Sequence, residues 1–209
     1  MNIELLKEKN KTVLLKYIPE NAVLLISDYI IELDIKLKIK GNRKSKWGDF
    51  QVPRTPEEPF VITVNKSLNK YAFLITLVHE IAHLTSHKAH GRQNNPHGDI
   101  WKREYQKLMN NFLIPEIFPI DILYVLRQHM KNPKASATAD VTLYKVLMNY
   151  DDVSNKIILD YIKDGEQFIY ENEIYKRILK RLKKIECVMV VNKRVYLFSP
   201  IAEVERAEE

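Results

Sequence analysis

The chain reads as an α+β protein: a helical domain carrying a small three-stranded sheet, followed by a small, mostly β C-terminal module. Three observations predict this. Residues 69–88 hold an apolar stretch without Pro or Gly, long enough for a buried helix. Three short strand-like runs, 35–40, 47–53 and 60–65, precede it. Beyond Pro133 the helical pattern gives way to strand-like runs separated by Lys163-Asp164-Gly165 and Asn192-Lys193-Arg194. The break at Pro133, Ala135, Ser136, Ala137 and Thr138 divides the chain into domains 1–135 and 136–209.

Helical patterns cover 2–17 and 20–33, the first of them amphipathic. In the first strand Ile35, Leu37 and Ile39 alternate with lysines. The long helix follows Ser67 and Asn69, either of which suits an N-cap. Gly91, Asn94, Asn95 and Pro96 then break the chain into a turn. A second helix covers 98–112, with Ile100, Trp101, Tyr105, Leu108, Met109 and Phe112 as its core stripe, and Asp99 either caps it or orients a neighbouring imidazole. Pro115 and Pro119 mark a loop before an amphipathic helix at 120–131, and a short helix at 139–149 bridges to the C-terminal module. There, 157–162 and 167–170 flank Lys163-Asp164-Gly165 as a hairpin, and 187–191 and 195–198 form a second one. Between them Ile174, Ile178, Leu182 and Ile185 recur at helical spacing, with an edge strand as the other reading.

Residues His79-Glu80-Ile81-Ala82-His83 spell H-E-x-x-H inside the long helix. Positions i and i+4 share a helix face, so two imidazoles are offered to one metal ion with a carboxylate between them. Burying these polar groups among apolar neighbours is costly unless something satisfies them, and a metal does so. A catalytic zinc takes three protein ligands and keeps an open position. His87 lies eight residues from His79, about 12 Å along the axis, too far to share the ion while the helix continues. Ser86 and Ala89 stand where the metzincin spacing needs Gly and His, so His87 and His90 read as surface residues near the helix end. His97, at the start of the second helix, is the favoured third ligand, and Glu104 is its rival. Glu80 is the candidate general base, and Tyr105 the candidate second donor to a developing oxyanion.

The combination of H-E-x-x-H, an intermediate loop and His97-Gly98-Asp99-Ile100-Trp101 opening the next helix resembles the SprT-like zinc metalloproteases, the group of bacterial SprT and eukaryotic Spartan. The likeness covers roughly residues 20–115 and takes in the upstream strands with their basic turn. It implies a zincin-like helical domain, one catalytic Zn²⁺ on His79, His83 and His97, Glu80 as base, and peptide-bond hydrolysis on DNA-associated or DNA-crosslinked proteins. Many members end in a zinc ribbon built on four Cys or His ligands. Residues 136–209 hold one cysteine and no histidine, so this module is expected to be ribbon-like, without zinc and stabilised by apolar packing.

The net charge of +6 favours polyanions, and the basic residues are clustered. Lys44 and Lys46 beside Trp47, and Lys180, Arg181, Lys183 and Lys184 near Tyr170, Tyr175, Tyr196 and Phe198, are candidate nucleic-acid contacts, with solvated faces as the plain alternative. Cys187 is the lone cysteine, which together with the absence of a signal-peptide pattern fits a reducing cytoplasm. No apolar run reaches membrane-spanning length. The expected partners are therefore a protein or peptide substrate and DNA, with no membrane. The competing class is a zinc-containing nucleic-acid-binding or regulatory protein with little catalytic activity.

Overall fold

The structure, a computed structural model, describes residues 3–41, 46–55, 57–91, 95–152 and 156–207. They fall into two compact units, Met1–Asp151 and Asp152–Glu209.

The first unit runs α1 (Ile3–Leu14), α2 (Val23–Glu32), β1 (Ile35–Lys40), β2 (Gly48–Gln51), β3 (Phe60–Asn65), α3 (Lys70–His90), α4 (Asp99–Asn110), α5 (Ile120–Met130) and α6 (Val141–Met148). Its sheet has the order β1-β3-β2, with β1 parallel and β2 antiparallel to the central strand. Being central, β3 is buried continuously from Ile62 to Asn65. Buried Asn65 is satisfied by the chain entering β2: its amide donates to Lys46 O at 3.1 Å and its backbone N–H to Trp47 O at 2.9 Å. The second strand is shorter than the 47–53 expected, ending at Gln51 just before Val52-Pro53, where the ring nitrogen has no proton for the ladder.

Helix α3 is the spine of this unit. Residues Ala72 to Val78 are all buried, so the helix is enclosed on every side rather than amphipathic. Asn69 is its cap, accepting from Tyr71 N–H and Ala72 N–H at 3.1 and 2.9 Å. Gly91, at φ +68°, ends it in the left-handed region, as glycine does most cheaply.

The same Asn69 side chain donates to Leu147 O at 2.9 Å and to Asp151 Oδ1 at 2.6 Å. Leu143 and Leu147 of α6 are buried in the core of the first unit. The unit boundary therefore falls at 151/152 rather than at 135/136. The small residues at 135–138, which suggest a linker, instead lead into a helical turn at Ala137–Ala139 that packs near α3 and is capped by Ser136 Oγ.

The second unit is a six-stranded antiparallel sheet of β4 (Lys156–Ile158), β5 (Gln167–Tyr170), β6 (Glu173–Lys180), β7 (Ile185–Met189), β8 (Val195–Phe198) and β9 (Glu203–Arg206), in the order β4-β9-β5-β6-β7-β8. Leu159, Ile162, Phe168, Tyr175, Ile185, Cys187 and Val204 form its core, so apolar packing stabilises it as expected. Two expectations are corrected here. Segments 157–162 and 167–170 do not pair across Lys163-Asp164-Gly165, because β9 lies between β4 and β5. The chain is instead diverted by a turn at Leu159–Tyr161, whose neighbouring carbonyls at Leu159 and Ile162 accept from the Arg177 guanidinium. The residues at helical spacing, Ile174 and Ile178, lie in β6, an interior strand between β5 and β7. Its inward positions are Tyr175 and Arg177, and an arginine facing inward hides the alternation. The real tight hairpin joins β5 to β6 through Glu171 and Asn172, both at positive φ.

Candidate metal centre

The Nε2 atoms of His79, His83 and His97 form a triangle with edges of 3.2, 3.1 and 3.3 Å. Helix periodicity explains the first pair, one turn apart on α3. The third arrives through a turn in which His97 N–H donates to Asn95 Oδ1 at 3.3 Å and Gly98 N–H to Asn95 O at 3.1 Å. Gly98 is the N-cap residue of α4, so the turn ends where that helix begins and swings the imidazole back over α3.

The donor set fits a zinc ion. Three nitrogens about 2.1 Å from one ion in tetrahedral array stand roughly 3.4 Å apart, close to the measured edges. The alternative is poor chemistry. A neutral imidazole nitrogen is either a donor or an acceptor, so among three converging on one point at least one pair must be alike. A cation accepts all three lone pairs at once. Burial keeps the rings in the neutral form a ligand needs: His79 is held well below the ordinary histidine range, by burial first and then by His83 and His97. Burial first, and then His97, lower His83 to about 4, and burial lowers His97.

Trp101 of α4 is the floor of the site. Its ring lies 4.6, 5.3 and 4.8 Å from those of His79, His83 and His97, and stacks on Tyr105 at 5.0 Å. It is 1% exposed, so the imidazoles rest on a rigid aromatic surface. Burial, and secondarily the charge of Glu80, push the Tyr105 phenol above its ordinary range, leaving it a protonated donor. Asp99 is exposed in the first turn of α4 and forms no side-chain cap, so neither role expected of it is present. Glu104 is not among the residues that converge, and the third member of the cluster is His97. His87 is half-buried rather than superficial, its ring 6.1 Å from Phe50 and 6.4 Å from Phe60, while His90 is exposed.

The triad opens into a cleft of about 620 Å³ that also receives Glu80 and Tyr105. One wall is β2 with its approach, from Lys46 to Phe50; another is the turn from Ala135 to Thr138. Glu80 is 7% exposed. Its seat is set by a glycine: a Cβ on Gly48 would stand 2.4 Å from Glu80 Oε1 and 2.7 Å from Thr76 Cγ2. Only a residue without a side chain lets the edge strand pass this close to the carboxylate. Sequence reasoning missed both walls, although a glycine at the head of a strand beside a tryptophan was a signal of close backbone approach.

A family model described as "SprT-like family" matches residues 33–122. The matched segment contains the whole three-stranded sheet, α3, α4, the three histidines, Glu80 and Gly48. The Ala135–Thr138 wall and the entire second unit lie outside it. Neither a curated protein nor a solved structure matches the chain.

The basic clusters are mostly occupied locally. Lys46 pairs with Asp49 at 2.5 Å and Trp47 packs on Tyr144 at 5.8 Å. Lys180 pairs with Asp160 at 2.8 Å and Arg181 with Glu186. Lys183 and Lys184 are exposed, and Lys44 lies outside the described residues. Among the described residues no helix is long and apolar enough to cross a membrane.

Proposed function

We propose that the protein is a zinc-dependent endopeptidase of zincin-like architecture, with His79, His83 and His97 as the metal ligands and Glu80 as the general base. The observation that carries this reading is the convergence of three Nε2 atoms within 3.3 Å of one another in a cleft that also holds Glu80. Zinc bound there supplies Lewis-acid chemistry and brings the pKa of a water towards neutrality. Glu80 takes a proton from the attacking water and holds it within the enclosed cleft until the leaving amine accepts it. Tyr105, kept protonated by burial, donates to charge developing on the substrate carbonyl oxygen.

The substrate is an extended chain. Trp47 O accepts from Asn65 N–H, and Gly48 stands opposite Val64. In that phase the N–H and C=O groups of Gly48 and Phe50 face the open edge of β2, at the wall of the cleft. A peptide added there as a strand runs past Glu80. The family resemblance extends the reading to proteins held on DNA, in the cytoplasm. A metal-binding protein that only recruits nucleic acid has no need of a carboxylate buried beside the ligands, and this favours the enzyme.

The test is cleavage of an unfolded protein, with and without DNA, by zinc-loaded wild type and Glu80→Gln. The reading expects a variant that keeps its metal and loses turnover. A Glu80→Gln protein with full metal and wild-type cleavage would defeat it.

A further inference from the structure

The second unit carries an open strand edge, and we propose that β8 takes up an extended, acidic segment of a partner protein as an added strand. The proposal is independent of the metal centre.

The last strand of the sheet, β8, pairs on one side only, with β7. Met189 N–H donates to Arg194 O at 3.0 Å, and this fixes the phase of the ladder. With Val188 opposite Val195 and Glu186 opposite Leu197, the N–H and C=O groups of Val195 and Leu197 point away from β7. Their side chains, 59% and 57% exposed, stand on the outer face of the sheet. Ile174 and Leu179, each 40% exposed, and half-buried Val188 share that face. Edge strands are ordinarily guarded by an inward charge, a proline or a bulge, and Val195-Tyr196-Leu197-Phe198 has none of these.

The turns at the two ends of this edge repeat one chemistry. Leu182 with Lys183 and Lys184 lies at one end, and Val191 with Lys193 and Arg194 at the other; all six are exposed. Among the described residues none of the four cations is in an ion pair, unlike Lys180 and Arg181 beside them. A strand added to β8 thus meets hydrogen-bonding groups along its length, aliphatic side chains on one face, and positive charge at both ends. An acidic segment with apolar residues at alternate positions is complementary to all three.

Two other occupants fit less well. Single-stranded nucleic acid needs rings to stack on, but Tyr170, Tyr175, Tyr196 and Phe198 pack against one another on the opposite face, at 5.0–5.5 Å. The edge carbonyls would also face phosphate. A second copy pairing antiparallel through β8 would set the two basic turns against each other.

The test uses the full chain and a fluorescein-labelled octapeptide alternating glutamate with valine. Expected are saturable binding that weakens with salt, and slowed amide exchange at Val195 and Leu197. Val195→Pro removes an N–H that faces solvent and leaves the β7–β8 bonds in place; peptide binding should be lost. Lys183→Glu with Lys184→Glu, both at exposed positions, should weaken binding about tenfold, and carries the test should the proline variant melt early. The proposal is overturned by no saturable binding to wild type, by undiminished binding to either variant, by dimerisation through β8, or by oligodeoxythymidine binding these residues more tightly than the peptide.

Discussion

Gly48→Ala probes how the first unit holds its carboxylate. The added methyl would lie 2.4 Å from Glu80 Oε1, 2.9 Å from Glu80 Cγ and 2.7 Å from Thr76 Cγ2. Thr76 cannot rotate aside without breaking the bond its hydroxyl donates to Ala72 O at 2.8 Å, in a buried setting. Nor can β2 lift freely, because its register on β3 is held by the ladder and by Asn65. Ordinary contact begins near 3.4 Å, so the carboxylate must retreat by about 1 Å, and a misplacement of that size costs on the order of a hundredfold in rate. Overpacking should cost about 1–3 kcal/mol of stability, visible as a lower melting temperature. The three imidazoles are not displaced, so the metal content stays at the wild-type level. Turnover and KM on an unfolded protein substrate, measured beside zinc content and melting temperature, give the result. A loss concentrated in kcat with zinc intact is expected. A kcat within about twofold of wild type, far from that hundredfold, would refute the claim that Gly48 seats Glu80.

Other predictions follow the same geometry. Trp101→Ala removes the floor under all three imidazoles and should cost about 3–5 kcal/mol, with weaker zinc affinity, read by denaturant unfolding and competitive chelation. A chain ending at Asp151 should fold cooperatively, whereas one ending at residue 135 loses Leu143, Leu147 and the bonds from Asn69, and should melt broadly or not fold; circular dichroism separates them. Burial holds His129 below the ordinary histidine range, although its Nδ1–H bond to Asp140 opposes this. Its contribution to stability is therefore full above the unfolded pKa near 6.5 and falls away as pH drops through the lower folded value. His129→Gln should flatten the rise of unfolding free energy with pH in that window, and an unchanged slope would show that another group sets it.

The convergence of His79, His83 and His97 was legible because its determinants are local. H-E-x-x-H needs only helix periodicity to bring two imidazoles together, and Asn95-Pro96 before His97 announces the turn that returns the third. The cleft walls were less legible. Gly48 acts through the absence of a side chain, and Ala135 to Thr138 have the composition of a linker while packing as structure. The second unit was hardest, because its pairing is set at long range. The strand that separates β4 from β5 comes from residues near the C-terminus, and no local turn signal announces it. In β6 the inward Arg177 is satisfied by Asp164 and by backbone carbonyls, all contacts made by tertiary structure.

Zinc content of the wild-type chain and of His97→Ala, measured after reconstitution and exhaustive dialysis, tests the central claim most directly. About one zinc per wild-type chain and almost none in the variant is the predicted outcome. A wild type that retains no zinc, or a His97→Ala protein that retains the full complement, would contradict it.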